Sequence, residues 1–95
     1  MFEITIVPIG TNSPSLSKYV KISYEEIKKS GLNFQLTPMG TCILGDFKDV
    51  FNLVEKIHNK FAAMGVDRIS TQIKIDDRRD KKITFQSKIR AVKGR

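Results

Sequence analysis

Apolar and polar side chains alternate at the start of the chain, with Phe2, Ile4 and Ile6 on one side and Glu3, Thr5 and Val7 on the other. Period two with β-branched residues predicts a half-buried strand over residues 1–9, closed at Pro8 because proline has no N–H for a ladder. The period then lengthens. Leu16, Tyr19, Val20, Tyr24 and Ile27 recur at helical spacing over residues 16–30, with lysines mainly on the opposite face. Ser13 or Ser15 can cap this helix, Pro14 suits its first turn, and Gly31 is a stop. Alternation returns at residues 32–37, where Phe34 and Leu36 oppose Gln35 and Thr37. Pro38 and Gly40 mark a turn into a short strand over residues 41–44. Asp46 is placed to cap a second helix over residues 47–64, whose stripe is Phe47, Val50, Phe51, Val54, Ile57, Phe61 and Met64. Ile69, Ile73 and Ile75 alternate with Ser70, Gln72 and Lys74 in a fourth strand over residues 68–75. Beyond the charged run 76–82, Phe85, Ile89 and Val92 at i, i+4 and i+7 predict a short C-terminal helix with Thr84 as its cap.

The order β-α-β-β-α-β is the split βαβ pattern, an α+β ferredoxin-like fold. It implies a four-stranded antiparallel sheet of order 4-1-3-2 with both main helices on one face. The second face would carry Thr5, Val7, Gln35, Thr37, Ser70 and Gln72, which are mixed and nearly uncharged. An antiparallel sheet can leave such a face wet, but it also suits a second copy. Self-association as a dimer or a dimer of dimers is the expectation.

Ninety-five residues, 40% of them hydrophobic, make one domain over 1–95 with a modest core. No apolar run approaches a membrane span, the N-terminus lacks the pattern of a signal peptide, and a lone Cys42 forms no internal disulfide. A cytoplasmic protein without a membrane partner is therefore expected. The net charge of +7 is confined to residues 78–95, which hold eight basic side chains against Asp80, while residues 1–77 are balanced. Such a basic segment is a solvated tail more readily than a nucleic-acid-binding face, because Phe85 is the only aromatic in it.

One short phrase occurs twice. Pro8-Ile9-Gly10-Thr11 follows the first strand and Pro38-Met39-Gly40-Thr41 follows the second. In the expected topology these two strands point the same way, so both phrases and the start of the first helix should gather at one edge of the sheet. Pro8, Gly10, Thr11, Ser15, Ser17, Thr37, Met39, Gly40 and Thr41 are the candidate ligand-binding residues. They offer main-chain N–H groups, hydroxyls and one flexible apolar side chain, which suits a small molecule read by hydrogen bonds. Thr37→Ala and Gly40→Val should weaken binding while leaving the domain folded.

Catalysis is the weaker reading. His58 lies within a helix with Val54 and Ala62 at i±4, so it lacks an acid–base partner, and no motif joins it to Cys42. Asp76 and Asp77 alternate faces among basic residues, which favours ion pairs over a metal. No catalytic or metal-binding residue and no cofactor is assigned. Specific RNA recognition is disfavoured because Phe2, the only aromatic in the two central strands, falls in the core-facing register. Weak salt-sensitive RNA binding by 78–95, and a purely structural or regulatory oligomer, stay as alternatives.

Four stretches together carry a resemblance: Ile6-Val7-Pro8-Ile9-Gly10-Thr11, Ser15-Leu16-Ser17-Lys18-Tyr19-Val20, Leu36-Thr37-Pro38-Met39-Gly40-Thr41 and Ile73-Lys74-Ile75-Asp76-Asp77-Arg78-Arg79-Asp80. In this order they resemble a family of small thiamine-binding proteins, related to proteins that bind thiamine and its hydroxymethylpyrimidine moiety in vitamin salvage. The resemblance covers almost the whole chain. It implies a ferredoxin-like fold, homo-oligomers that are usually tetramers, no established catalysis, and thiamine or its pyrimidine half as the ligand.

Overall fold

The computed structural model describes residues 1–11 and 16–94. Its elements are β1 (Phe2–Ile9), α1 (Ser17–Lys29), β2 (Asn33–Thr37), β3 (Gly40–Leu44), α2 (Phe47–Ala63), β4 (Arg68–Ile75) and α3 (Phe85–Lys93). The strands form one antiparallel sheet in the order β2-β3-β1-β4, the expected order read from its other edge. The two alternation periods thus place every element, and the fourth strand has the expected bounds. Pro8 departs from expectation. It lies inside β1, opposite Ile69 of β4, and the strand runs one residue further.

Core side chains come from one face of the sheet and the facing sides of α1 and α2. Phe2, Ile4 and Ile43 meet Ile27, Val50, Leu53, Val54, Ile57 and Phe61. Leu53 is buried, whereas Phe47, Phe51 and Met64 of the expected stripe are exposed. The sheet-facing line of α2 therefore runs through residues 50, 53, 54, 57 and 61. Phe47 and Phe51 flank it, stacked on each other and set edge-on against Phe2. Phe2 is buried beneath them, out of reach of a nucleic-acid base.

The caps follow the sequence only in part. Thr84 caps α3 in a reciprocal box with Ser87. Asp46 precedes α2 but its side chain makes no capping bond. Ser13, Pro14 and Ser15 lie outside the described residues, and Leu16 occupies the N-cap of α1 without a side-chain cap.

Two polar contacts tie the helices to their neighbours. His58 shares a hydrogen bond with Thr71 on the core side of β4. Glu26, buried on α1, accepts from Lys60 of α2, and this bond holds the Glu26 carboxyl below its ordinary pKa against the opposing effect of burial. A lowered folded-state pKa stabilises the fold above the unfolded pKa and is lost as pH falls through the folded value. Glu26→Gln should therefore be less stable than the wild type at neutral pH. In urea denaturation the gap should close as the pH falls below the carboxylate range, about pH 3. A gap that persists at that pH would show that the pair is not its source.

The core helices α1 and α2 pack on the face that carries Phe2, Ile4 and Ile43, and the expected second face is more open. Thr5, Val7 and Thr37 on it are half-buried, and Gln35, Ser70 and Gln72 are exposed. The charged run beyond β4 pairs within itself, Arg79 with Asp77 and Arg78 with Asp80, and with α3 through Lys88 and Asp76. These exposed pairs order the lead into α3 and individually contribute little stability.

Candidate functional site

The strands of the central pair differ in length, and the site arises from that difference. β1 has eight residues and β3 has five. β4 pairs with β1 from Phe2 to Ile9, whereas β3 pairs only with Phe2, Glu3 and Ile4. The hairpin turns back at Pro38 and Met39, with Thr37 opposite Gly40. Its tip is fastened by side chains instead of a ladder. Thr5 Oγ1 donates to the Met39 carbonyl at 3.1 Å and Thr37 Oγ1 to the Gly40 carbonyl at 3.0 Å. Past Thr5, the side of β1 that faced β3 is open.

Which main-chain groups face this opening follows from parity. In an antiparallel pair, alternate residues turn their N–H and C=O to opposite sides. The Met1 amino group donates to the Asp76 carbonyl at 2.8 Å, and the Asp76 N–H donates back to the Met1 carbonyl at 2.8 Å. Odd-numbered residues of β1 therefore address β4, and even-numbered ones address β3. A Cβ built on Gly40 would lie 2.8 Å from the Ile4 carbonyl oxygen, which places that oxygen on the β3 side as parity requires. The same rule turns Ile6 N–H, Ile6 C=O and Pro8 C=O toward the gap. It also explains why Pro8 is tolerated inside the strand: the N–H it lacks would have pointed there.

The gap opens into a cleft of about 740 Å³. Its floor is β1 over residues 4–8, one wall is the hairpin end over residues 36–41, and the other is the face of α1 that carries Leu16, Tyr19, Tyr24 and Ile27. The lining is mainly apolar, and Lys21 is its one charged side chain among the described residues. The mouth is apolar and open to solvent: Val20 is 63% exposed, Leu36 54% and Met39 84%.

The expected site residues separate into groups. Pro8, Ser17, Thr37, Met39, Gly40 and Thr41 all line the cleft. Gly10 and Thr11 do not. Gly40 is level with Thr5 in the register, so Gly10, just past the end of β1, lies five residues further along the chain, about 17 Å at the rise of a strand. The two similar phrases are staggered instead of adjacent, and the second one builds the cleft together with the middle of β1. Ser15 lies outside the described residues. Ile6, Tyr19, Lys21 and Tyr24 join the lining without belonging to either phrase. The sequence signal for the helix residues is the apolar stripe of α1, which serves both core and cleft, and a main-chain edge such as that of Ile6 has no side-chain signature.

The reactive side chains lie elsewhere. Cys42 faces Glu3 across the β1–β3 pair, and burial, with the Glu3 carboxylate adding to it, pushes its thiol pKa up, away from the reactive thiolate. His58 is held by Thr71. Among the described residues no group of three or more His, Cys, Asp or Glu is placed to hold a metal ion, and no helix is long and apolar enough to cross a membrane.

Comparison with known proteins agrees with this architecture. Residues 2–93 match a family described as thiamine-binding protein. The UPF0045 protein YqgV of Bacillus subtilis is 45% identical over 94 residues, which is 95% of this chain and 90% of that protein. A UPF0045 protein of Staphylococcus xylosus is 43% identical over 94 residues, 95% of this chain and 88% of the relative. Among solved structures, a hypothetical protein of Methanocaldococcus jannaschii superimposes with a TM-score of 0.85 at 35% identity, over 97% of this chain and 93% of the other. A Thermotoga maritima protein assigned provisionally to thiamine biosynthesis or salvage shares the fold, with a TM-score of 0.76 at 21% identity over 96% and 95% of the two chains.

Proposed function

The chain belongs to the thiamine-binding protein family, and from that membership we propose that its cleft binds thiamine or, more strongly, the hydroxymethylpyrimidine moiety, without catalysis. The observation that supports this reading most is the cleft itself, an apolar slot of about 740 Å³ between α1 and the hairpin tip, with threonine hydroxyls at its edge. Volumes of this order accommodate small organic ligands. An aminopyrimidine is flat and apolar on its faces and polar at its rim. Met39 can lie along a ring face, and its unbranched thioether adapts to the shape it meets.

Electrostatics separates the two halves of thiamine. The thiazolium is a cation, and no carboxylate lines the cleft among the described residues, whereas Lys21 does. Asp67, directly before β4, is not in the lining. The pyrimidine half therefore supplies most of the binding.

Calorimetric titration of hydroxymethylpyrimidine, thiamine and thiamine phosphate tests the reading. Binding of the pyrimidine at least as tight as that of thiamine is expected. Absence of heat with all three ligands at millimolar concentration would remove it. Thr37 already gives its proton to the Gly40 carbonyl, so toward a ligand its hydroxyl can only accept. One hydrogen bond contributes about 0.5–1.5 kcal/mol net. Thr37→Ala should accordingly weaken binding about two- to tenfold and leave the domain folded. Unchanged affinity would place Thr37 outside the contact.

A further inference from the structure

We infer that the ligand docks on the open edge of β1 as a strand would, with the main chain of Ile6 reading an acceptor and a donor that sit side by side on the ligand ring. The inference rests on the cleft being the ligand site, and it names the contact that selects the ligand there. Ile6 lines the cleft. Parity directs both its N–H and its C=O into the gap, and pairing with β3 stops at Ile4. The position that would continue the ladder opposite Ile6 is Met39, whose carbonyl is taken by Thr5 Oγ1. The Ile6 main chain therefore has no ladder partner on this side among the described residues.

Main-chain donors and acceptors in apolar surroundings are costly to leave unpaired. Here they are also rigid, because β4 fixes β1 along its whole length. In an extended residue the N–H and C=O of one side lie next to each other. Their complement is a ring nitrogen that accepts beside an exocyclic amino group that donates, the pattern along one edge of a 4-aminopyrimidine. A 4-oxo ring reverses that pattern and would be rejected, since it would set donor against donor and acceptor against acceptor.

Amide-resolved NMR of the full chain, titrated with hydroxymethylpyrimidine, provides the test. In the free protein the Ile6 amide should exchange rapidly with solvent while Val7, which addresses β4, is protected. At saturation the Ile6 amide should move downfield and its exchange should slow about tenfold or more. Replacing the 4-amino group of the ligand by a 4-oxo group should weaken binding at least tenfold. On the protein side, Ile6→Pro removes the N–H without removing a ladder bond and should abolish the preference for 4-amino over 4-oxo. Ile6→Ala keeps the N–H and should retain the preference, so lost side-chain packing is controlled for.

If the pyrimidine binds but leaves the Ile6 amide unaffected, the strand-edge contact is wrong and the cleft reading stands. If the pyrimidine does not bind, both fall. Protection of Ile6 that follows protein concentration, and not ligand, would assign the edge to a second copy and likewise overturn the inference.

Discussion

Gly40→Val is expected to lower the thermal midpoint by roughly 5–20 °C and to weaken ligand binding at least tenfold, through one displacement. A Cβ at position 40 would sit 2.8 Å from the Ile4 carbonyl oxygen and 2.9 Å from Thr5 Oγ1. The first is main chain on the β3 side of the ladder and cannot yield without parting the strands. The second is the hydroxyl that fastens the hairpin tip to Met39. Overpacking of this kind costs about 1–3 kcal/mol, and each kcal/mol shifts the midpoint of a domain of this size by about 4–8 °C. The tip that forms one wall of the cleft would move outward, and affinity would fall with it. The expectation from sequence, that this substitution leaves the fold unharmed, is thereby replaced.

Two companion variants isolate the cause. Gly40→Ala introduces the same Cβ and should show most of the loss. At Gly10 a Cβ would meet nothing within 4 Å, and the residue has φ of +74°. Gly10→Ala should then cost only the left-handed backbone penalty of about 1–2 kcal/mol and leave affinity unchanged. Equal effects of the Gly10 and Gly40 substitutions on binding would contradict the stagger of the two phrases.

Phe61→Ala is expected to cost the most stability, about 3–5 kcal/mol. Phe61 is fully buried in the line of α2 that meets the sheet and packs edge-on against Tyr19 of α1, with ring centroids 5.2 Å apart. Its removal leaves a cavity and deletes an aromatic contact that contributes about 0.5–1.5 kcal/mol beyond area. Domains of this kind are stable by only about 5–15 kcal/mol in all, so the variant should lie near the edge of folding at 37 °C. Tyr19 also lines the cleft, so the variant should bind ligand more weakly even under conditions where it is folded. Phe51→Ala, at a ring 43% exposed, is the control and should lose clearly less. Urea denaturation of both variants reads the difference. A loss below about 1 kcal/mol for Phe61→Ala would mean that the neighbouring helices close over the space, contrary to the packing described.

Much of this protein can be read from its residues in order. The switch between alternating and helical spacing locates the four strands and the helices, because each period reports a local geometry that the backbone repeats. Phe85, Ile89 and Val92, with Thr84 before them, identify α3 through the same local rule. The succession of elements leaves few topologies, and the antiparallel ladder of order 4-1-3-2 is the one formed. Side chains that depend on rotation about a helix axis are less well specified. Leu53 and Phe51 exchange roles relative to expectation, because which side of a broad apolar face meets the sheet is set by the partner surface.

The site is half legible. Thr37, Met39, Gly40 and Thr41 are recognisable as a turn with hydroxyls and a pliable apolar tip, and they do build a wall of the cleft. The expected place of Gly10 and Thr11 beside them follows from strand direction alone, and direction does not fix register. A hairpin of five-residue strands set against an eight-residue strand leaves a gap whose location depends on which residues pair, here Ile4 with Thr41.

The elements, their order and the face each strand buries are all written in the residues, since they follow from local periodicity and short connections. That β3 stops at the level of Thr5, and that the Ile6 main chain is left facing a cavity, emerges only when the chain is folded. Such facts belong to pairings between residues more than thirty positions apart. A backbone N–H or C=O is chemically the same at nearly every position until the fold gives it a partner or withholds one.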